Sequence, residues 1–192
     1  MVAALAPDEP EAKGLLALML FAHARRAARR DALGRYVSLS EQNTALWDAA
    51  AIDEAERLLQ QASAAQLAGR FQLEAAVQSA HAARRLVGAT DWEAIAALYD
   101  ALYVLTGSPV VAINRAAAVA HTRDPAEGLA LLEAAGGEGR LDAFEPYWVA
   151  KADLNARIGE RDAARQAYTV AIGLETDPAA RAFLIERLAA VG

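Results

Sequence analysis

A chain of 192 residues is long enough for one domain with a real core, or for two small ones sharing an interface. With 55% hydrophobic and 23% charged residues it is globular rather than disordered, and a net charge of −6 opposes nucleic-acid binding, which calls for excess basic side chains. Cysteine is absent, so disulfides, thiolate chemistry and zinc–cysteine sites are excluded and a cytoplasmic setting is expected; no apolar run reaches the ~18 residues of a membrane span. The opening MVAALAPDEPEAKG lacks the basic and apolar regions of a signal peptide.

Alanine occurs 51 times and leucine 24 times, against 11 valines, 6 isoleucines and 6 threonines. Alanine loses no side-chain entropy in a helix, and the β-branched residues that favour strands are scarce, so an all-α fold is predicted.

The elements follow in chain order. Pro7 to Glu11 reads as a helix start, with Pro10 in the first turn and Glu9 and Glu11 complementing the helix dipole. Leu15, Leu16, Leu18, Met19 and Leu20 fill most of that helix's circumference, which predicts burial on more than one face; it should run to about Ala32, with Gly34 as the stop. Residues 34–43, GRYVSLSEQN, form a polar connector that suits an extended turn, with at most a two-residue bridge near Tyr36–Leu39. A second helix is expected over Thr44–Ala68, with a possible break near Ala50, and a third over Phe71–Leu86. Asp91 caps a helix through Leu105, Ser108-Pro109 opens one to His121, and Asp124-Pro125 opens one to Ala135. Glu145-Pro146 starts a helix to Ile158, Gly159 breaks it, Arg161–Leu174 follows, and Asp177-Pro178 starts the last helix, to Ala190. Nine helices with short connectors imply antiparallel hairpins.

An internal repeat organises the second half. Trp148, Ala152, Gly159, Ala164, Tyr168, Ala171 and Pro178 resemble the tetratricopeptide (TPR) pattern, and a shift of 36 residues returns Ala112, Ala116, Arg123, Gly128, Leu132 and Ala135. A shift of 34 more places Ala94, Leu98 and Ala101 at the small–large–small positions. Small side chains let paired helices touch while the larger one fills the gap beside them. The predicted architecture is therefore a TPR-like right-handed superhelical stack of antiparallel hairpins. Residues 1–90 form an N-terminal helical region and 91–192 the TPR-like repeats, in one continuous domain. Leu16, Leu20, Trp47, Leu98, Leu102, Ile113, Leu132, Trp148 and Tyr168 are the expected core.

Residues capable of chemistry are sparse. His23, His81 and His121 form no H-E-x-x-H or i, i+4 pair, and Asp48, Asp53, Glu54 and Glu56 read as a solvated face. Gly136-Gly137-Glu138-Gly139 follows a helix and lacks the Lys-Ser/Thr of a phosphate loop, so it reads as a linker, and Ser108 reads as a helix cap rather than a nucleophile. No metal, no cofactor and no catalysis are expected. Arg25, Arg26, Arg29 and Arg30 form a basic turn that the helix dipole explains; docking to an acidic partner is the functional alternative. Asn114 and Arg115 lie in a largely apolar helix and serve either helix-end hydrogen bonds or peptide binding.

The stretches PDEPEAKGLLALMLFAHARRAAR, LSEQNTALWDAAAIDEAERLL, FQLEAAVQSAHAA and TDWEAIAALYDALYVLTGSPVVAINRAAAVA, followed by GLALLEA and the closing repeat, are together similar to the C-terminal extension of a group of extracytoplasmic-function (ECF) sigma factors. The resemblance runs from Pro7 onward, and the combination DW…LYD…SPVV…NRA is its specific part. It implies two promoter-reading domains ahead of this stretch in a longer bacterial protein, and a TPR-like tail that tunes transcription in cis. The expected partners are those domains, RNA polymerase, or a small YCII-related protein. The connector SLSEQN departs from the more acidic form, close to LLEDQD, that the resemblance leads one to expect. Arg25, Arg26, Asp91, Trp92, Tyr99, Asn114 and Arg115 are the candidate partner-binding residues, although Trp92, Tyr99 and Trp148 also suit a core. The alternative is a stand-alone TPR-type adaptor for a peptide.

The charge balance yields a direct test. The isolated chain should show no binding to promoter duplexes at physiological salt in a fluorescence anisotropy titration; salt-sensitive micromolar binding would contradict it.

Overall fold

The computed structural model describes residues 9–64 and 68–191, and the described residues are all-helical. In chain order the helices are α1 (Pro10–Ala24), α2 (Ala49–Ser63), α3 (Arg70–Ala82), the four-residue α4 (Arg84–Val87), α5 (Trp92–Thr106), α6 (Pro109–Thr122), α7 (Pro125–Ala135), α8 (Glu145–Ile158), α9 (Arg161–Leu174) and α10 (Pro178–Ala190). No strand occurs among the described residues. The chain divides into two compact units, Met1–Arg30 with Val37–Thr106, and Asp31–Tyr36 with Gly107–Gly192. The helix α5 packs against α3 and belongs to the first unit.

From Asp91 onward the helix bounds match those expected from capping residues to within about one residue. Asp91 accepts from the Ala94 N–H at 2.9 Å, Asp124 from the Ala126 N–H at 2.9 Å, and Asp177 from the Ala179 and Ala180 N–H groups at 2.8 and 2.9 Å. Each carboxylate satisfies donors that a helix start leaves unpaired. At the other end of α8, Gly159 adopts φ +88°, a left-handed turn that lets α9 begin two residues later.

The N-terminal half departs from expectation at its breaks. Pro10 begins α1 as anticipated, while Pro7 and Asp8 lie outside the described residues. The helix stops at Ala24 instead of Ala32. The Asp48 N–H donates to the Ala24 carbonyl at 3.0 Å, and the Arg29 guanidinium donates to the Ala22 carbonyl at 3.0 Å. Tertiary and side-chain donors thus occupy carbonyls that helix continuation would use, and the chain turns through a 3-10 segment, Arg26–Ala28. The second predicted helix is likewise broken. Thr44–Leu46 is a 3-10 turn, and Asp48 starts α2 by accepting from the Ala51 N–H at 3.0 Å. Its expected end near Ala68 borders residues 65–67, which lie outside the described ones.

The first unit is a three-helix core of α1, α2 and α3, with α5 added on α3. Ala17, Phe21, Trp47, Ile52, Ala55, Leu58 and Ala75 are buried at its centre; Leu16 and Leu20 are partly buried against them. Gly14 of α1 is where two backbones meet: a Cβ there would stand 2.7 Å from the Gln72 nitrogen of α3.

In the second unit α6 packs on α7, α7 on α8, α8 on α9 and α9 on α10, with α6 also touching α8. The repeat positions carry these contacts. Ala116, Leu132, Ala152, Ala164 and Ala171 are completely buried and Tyr168 nearly so. A Cβ on Gly128 would lie 2.6 Å from the Ala120 Cβ and 2.7 Å from the Ala116 carbonyl, so α6 and α7 approach to backbone contact. The pattern does not extend to α5. Ala94 and Leu98 are half-buried and Ala101 is exposed, because α5 buries Ile95, Ala96 and Leu102 instead. Among the nine expected core residues, Trp47, Leu102, Ile113, Leu132 and Tyr168 are buried, while Leu16, Leu20, Leu98 and Trp148 are partly exposed.

Packing this close predicts a graded response. Gly128→Ala should destabilise by about 1–3 kcal/mol through overpacking, and Leu102→Ala by about 2–5 kcal/mol through a cavity, measured by urea unfolding. Leu98→Ala should cost less than Leu102→Ala, since Leu98 keeps solvent contact; the reverse order would contradict the α5 packing.

Candidate partner-binding surface

In the first unit the end of α1, the face of α3 and the face of α5 meet around the basic turn. Because α1 stops at Ala24, Arg25 leaves the helix axis, and its guanidinium donates to Gln78 Oε1 on α3 at 2.5 Å. Tyr99 on α5 is held in the same neighbourhood. Burial pushes its phenol up to about 12, the Glu74 carboxylate adds to the rise, and the Arg25 charge opposes it. One turn along α3 from Gln78, His81 meets Trp92 edge-to-face, with ring centroids 5.6 Å apart. Arg25, Trp92 and Tyr99 therefore come together as parts of the α1–α3–α5 contact, and Asp91 serves as the α5 cap. Arg26 differs: it is exposed and makes no side-chain hydrogen bond or ion pair among the described residues.

Two polar anchors in this unit had no signal in the sequence. The Glu11 carboxylate of α1 sits at the start of α3, accepting from the Phe71 and Gln72 N–H groups at 3.0 and 3.2 Å and from the Gln72 side chain at 3.3 Å. It caps a helix some sixty residues away, where negative charge suits the dipole. Any Cβ on Gly69 would collide with that carboxylate at 2.2 Å. At the far end of α3, the connector SLSEQN wraps the Arg84 guanidinium. Arg84 donates to the Ser40, Leu39 and Gln42 carbonyls at 2.8, 2.9 and 3.1 Å and lies 5.3 Å from the Trp47 ring centroid. Neither contact is visible locally, because the partners are separated by more than forty residues.

The acidic residues of α2 have individual partners. Asp53 pairs with Arg85, Glu54 with Arg57 at 2.5 Å, and Glu56 accepts from the Ser79 hydroxyl at 2.7 Å. Among the described residues no group of three or more His, Asp or Glu side chains could hold a metal ion.

In the second unit Asn114 is exposed and Arg115 half-buried on α6. The carbonyl end of α6 receives the Arg157 guanidinium, which donates to the Ala120 oxygen at 2.5 Å. Beside it, partial burial and then the Arg157 charge lower the His121 pKa, with Asp153 opposing. The concavities of this unit include two beside α10. One, of about 300 Å³, lies between the Leu33–Tyr36 turn and α10, where Tyr36 and Phe183 meet edge-to-face at 5.2 Å. The other, of about 280 Å³, is bounded by Ala156 of α8, Arg161 and Tyr168 of α9, and Arg187, Ala190 and Val191 of α10. Arg187 donates to Asp153 at 2.9 Å and to the Tyr168 hydroxyl at 3.4 Å. No helix among the described residues is long and apolar enough to cross a membrane.

Residues 1–63 match a family of unknown function, DUF6596. The chain is 38% identical over 180 residues to an uncharacterized protein of Rhizobium meliloti (strain 1021), an alignment covering 94% of this chain and 42% of that protein. The chain thus spans well under half the length of that relative. No solved structure matches.

The buried phenol gives a pH test. With a folded-state value of about 12 against an ordinary 10.0, Tyr99 keeps its proton where the unfolded chain has lost it. Its contribution to stability is therefore intact below pH 10 and lost as pH rises toward 12. An alkaline titration of phenolate absorbance should show one tyrosine ionising near pH 12 that Tyr99→Phe removes; a component near pH 10 in its place would contradict the burial.

Proposed function

We propose that this chain is the regulatory interaction domain of an ECF sigma factor, acting by binding rather than by catalysis. Its hairpins form a TPR-like right-handed stack that offers an extended surface to the promoter-reading domains in cis, to RNA polymerase or to a small YCII-related regulator. The observation that carries this reading is the ordered set of sequence stretches shared with sigma-factor tails. The 42% coverage of the Rhizobium meliloti relative agrees with it, since a tail domain is part of a longer chain. Arg25, Asp91, Trp92 and Tyr99 act chiefly to hold the domain together, which leaves Arg26 and Asn114 as the exposed contact candidates.

The test uses the longer protein that bears this segment. Deleting residues 10–191 should change reporter output from a cognate promoter while the remaining domains stay folded. Arg26→Glu should lower output about fivefold or more, the lower range of ordinary coupling energies, without moving the unfolding midpoint. Arg25→Glu is the less clean probe because it also removes the bond to Gln78. Deletion with unaltered output and promoter choice would defeat the reading and favour the stand-alone adaptor.

A further inference from the structure

The turn that follows the basic residues beyond α1 keeps its own shape. Asp31 organises it. One carboxylate oxygen accepts from the Leu33 and Arg35 N–H groups, both at 2.9 Å, and the other from Arg35 Nε at 2.7 Å. The Gly34 N–H donates to the Asp31 carbonyl at 2.9 Å, and the Asp31 N–H to the Arg35 carbonyl at 3.0 Å. Gly34 turns the chain at φ +78°, a left-handed conformation that a side chain would strain. The Arg35 N–H, then its guanidinium, hold the Asp31 carboxyl below its ordinary 3.8. All these bonds close within the turn, and the Val37 N–H ties the stem together by donating to the Arg29 carbonyl at 3.0 Å.

Placement sets this turn apart. Its neighbours in the chain, Arg30 and Val37, belong to the first unit, whereas Asp31–Tyr36 belongs to the second, beside α10. The last helix, α10, packs on α9, where Leu184 is buried. Phe183 is only partly buried and meets the Tyr36 ring edge-to-face, with centroids 5.2 Å apart. Asp31 first, and Glu186 of α10 more weakly, stabilise the charge on Arg35. The fit against α10 is loose. The hollow of about 300 Å³ remains between turn and helix, Tyr36 is 39% exposed, and Leu33 is 78% exposed. A ring pair with a hollow beside it forgoes many of the close contacts that dispersion needs. The turn is therefore held more firmly within itself than against the helix it covers.

We propose that Asp31–Tyr36 is a preformed latch: folded by its own hydrogen bonds, it docks as one piece on α10 through Tyr36 and secures that helix against α9. Its release frees the last helix to open locally while the turn and the earlier helices of the unit keep their structure. The latch is a property of the fold and stands apart from the transcriptional reading.

The experiment follows amide hydrogen exchange by NMR in the 192-residue protein. Tyr36→Ala removes the docking ring and leaves the bonds around Asp31 in place. It should speed exchange of the Phe183 to Arg187 amides about tenfold or more, as a local opening does, with no matching rise in α6 and α7. In the same variant the Asp31 carboxyl should still titrate below 3.8, because the undocked turn keeps its shape. Asp31→Ala is the second variant. The hollow is lined from Leu33 onward and not by Asp31, yet loss of this carboxylate unties the turn, so α10 exchange should rise here too. Four results would each overturn the proposal: unchanged α10 exchange in Tyr36→Ala, an equal rise in α6 and α7, an Asp31 carboxyl back in the ordinary range in Tyr36→Ala, or α10 unaffected by Asp31→Ala.

Discussion

Backbone contact between neighbouring helices is the constraint on which the rest depends. Gly128 has no room for a methyl group beside Ala116 and Ala120, and Gly14 has none beside Gln72. Ala152, Ala164, Ala167 and Ala171 are buried at the corresponding contact between α8 and α9. Interhelical spacing is set by the side chains at the contact, and alanine and glycine bring it to its lower limit. Dispersion then acts over many close atom pairs, which compensates for the modest apolar area that each alanine buries. Larger residues such as Leu132, Tyr168 and Phe21 fill what the small ones leave open.

Helices packed this closely still have to satisfy their ends. Beside the local aspartate caps, the chain does so with charged side chains from outside the helix concerned. Glu11 occupies the N-terminus of α3, Arg157 the carbonyl end of α6, Arg29 that of α1, and Arg181 reaches the Glu175 carbonyl just beyond α9. Each places a charge where the helix dipole favours it and meets a backbone group that would otherwise lack a partner. Arg84 extends the same device to an irregular segment, drawing three connector carbonyls around one guanidinium. A connector with no regular structure thereby acquires a defined path.

These uses of charge change which residues are available for recognition. Aromatic residues and arginine are enriched at interfaces, which made Trp92, Tyr99 and Arg25 natural candidates. In the fold Trp92 and Tyr99 are packed and Arg25 is hydrogen-bonded within the first unit. The groups left facing outward are less conspicuous by type: Arg26 in a 3-10 turn and Asn114 on α6. Position, more than residue type, separates a contact that builds the domain from one able to serve a partner.

Local chemistry was enough to read the second half of the fold. Asp91, Asp124 and Asp177 cap helices through their own side chains within three residues, and Gly159 turns the chain by its own φ, so α5 to α10 were legible from the sequence. The alanine-rich composition likewise determined the all-α class, and the repeat at 36 residues marked the buried small positions of α6 to α9. What lay beyond the sequence involves groups far apart in the chain. The early end of α1 depends on the Asp48 N–H, the start of α3 on Glu11, the connector's path on Arg84, and the register of α5 on its packing against α3. The cavity of Arg161, Tyr168 and Arg187 is of the same kind, since two helices contribute its charges and a third its wall. Capping and turn energies act over a few residues and leave local traces; the pairing of distant donors, acceptors and charges is decided only when packed helices bring them within hydrogen-bond reach.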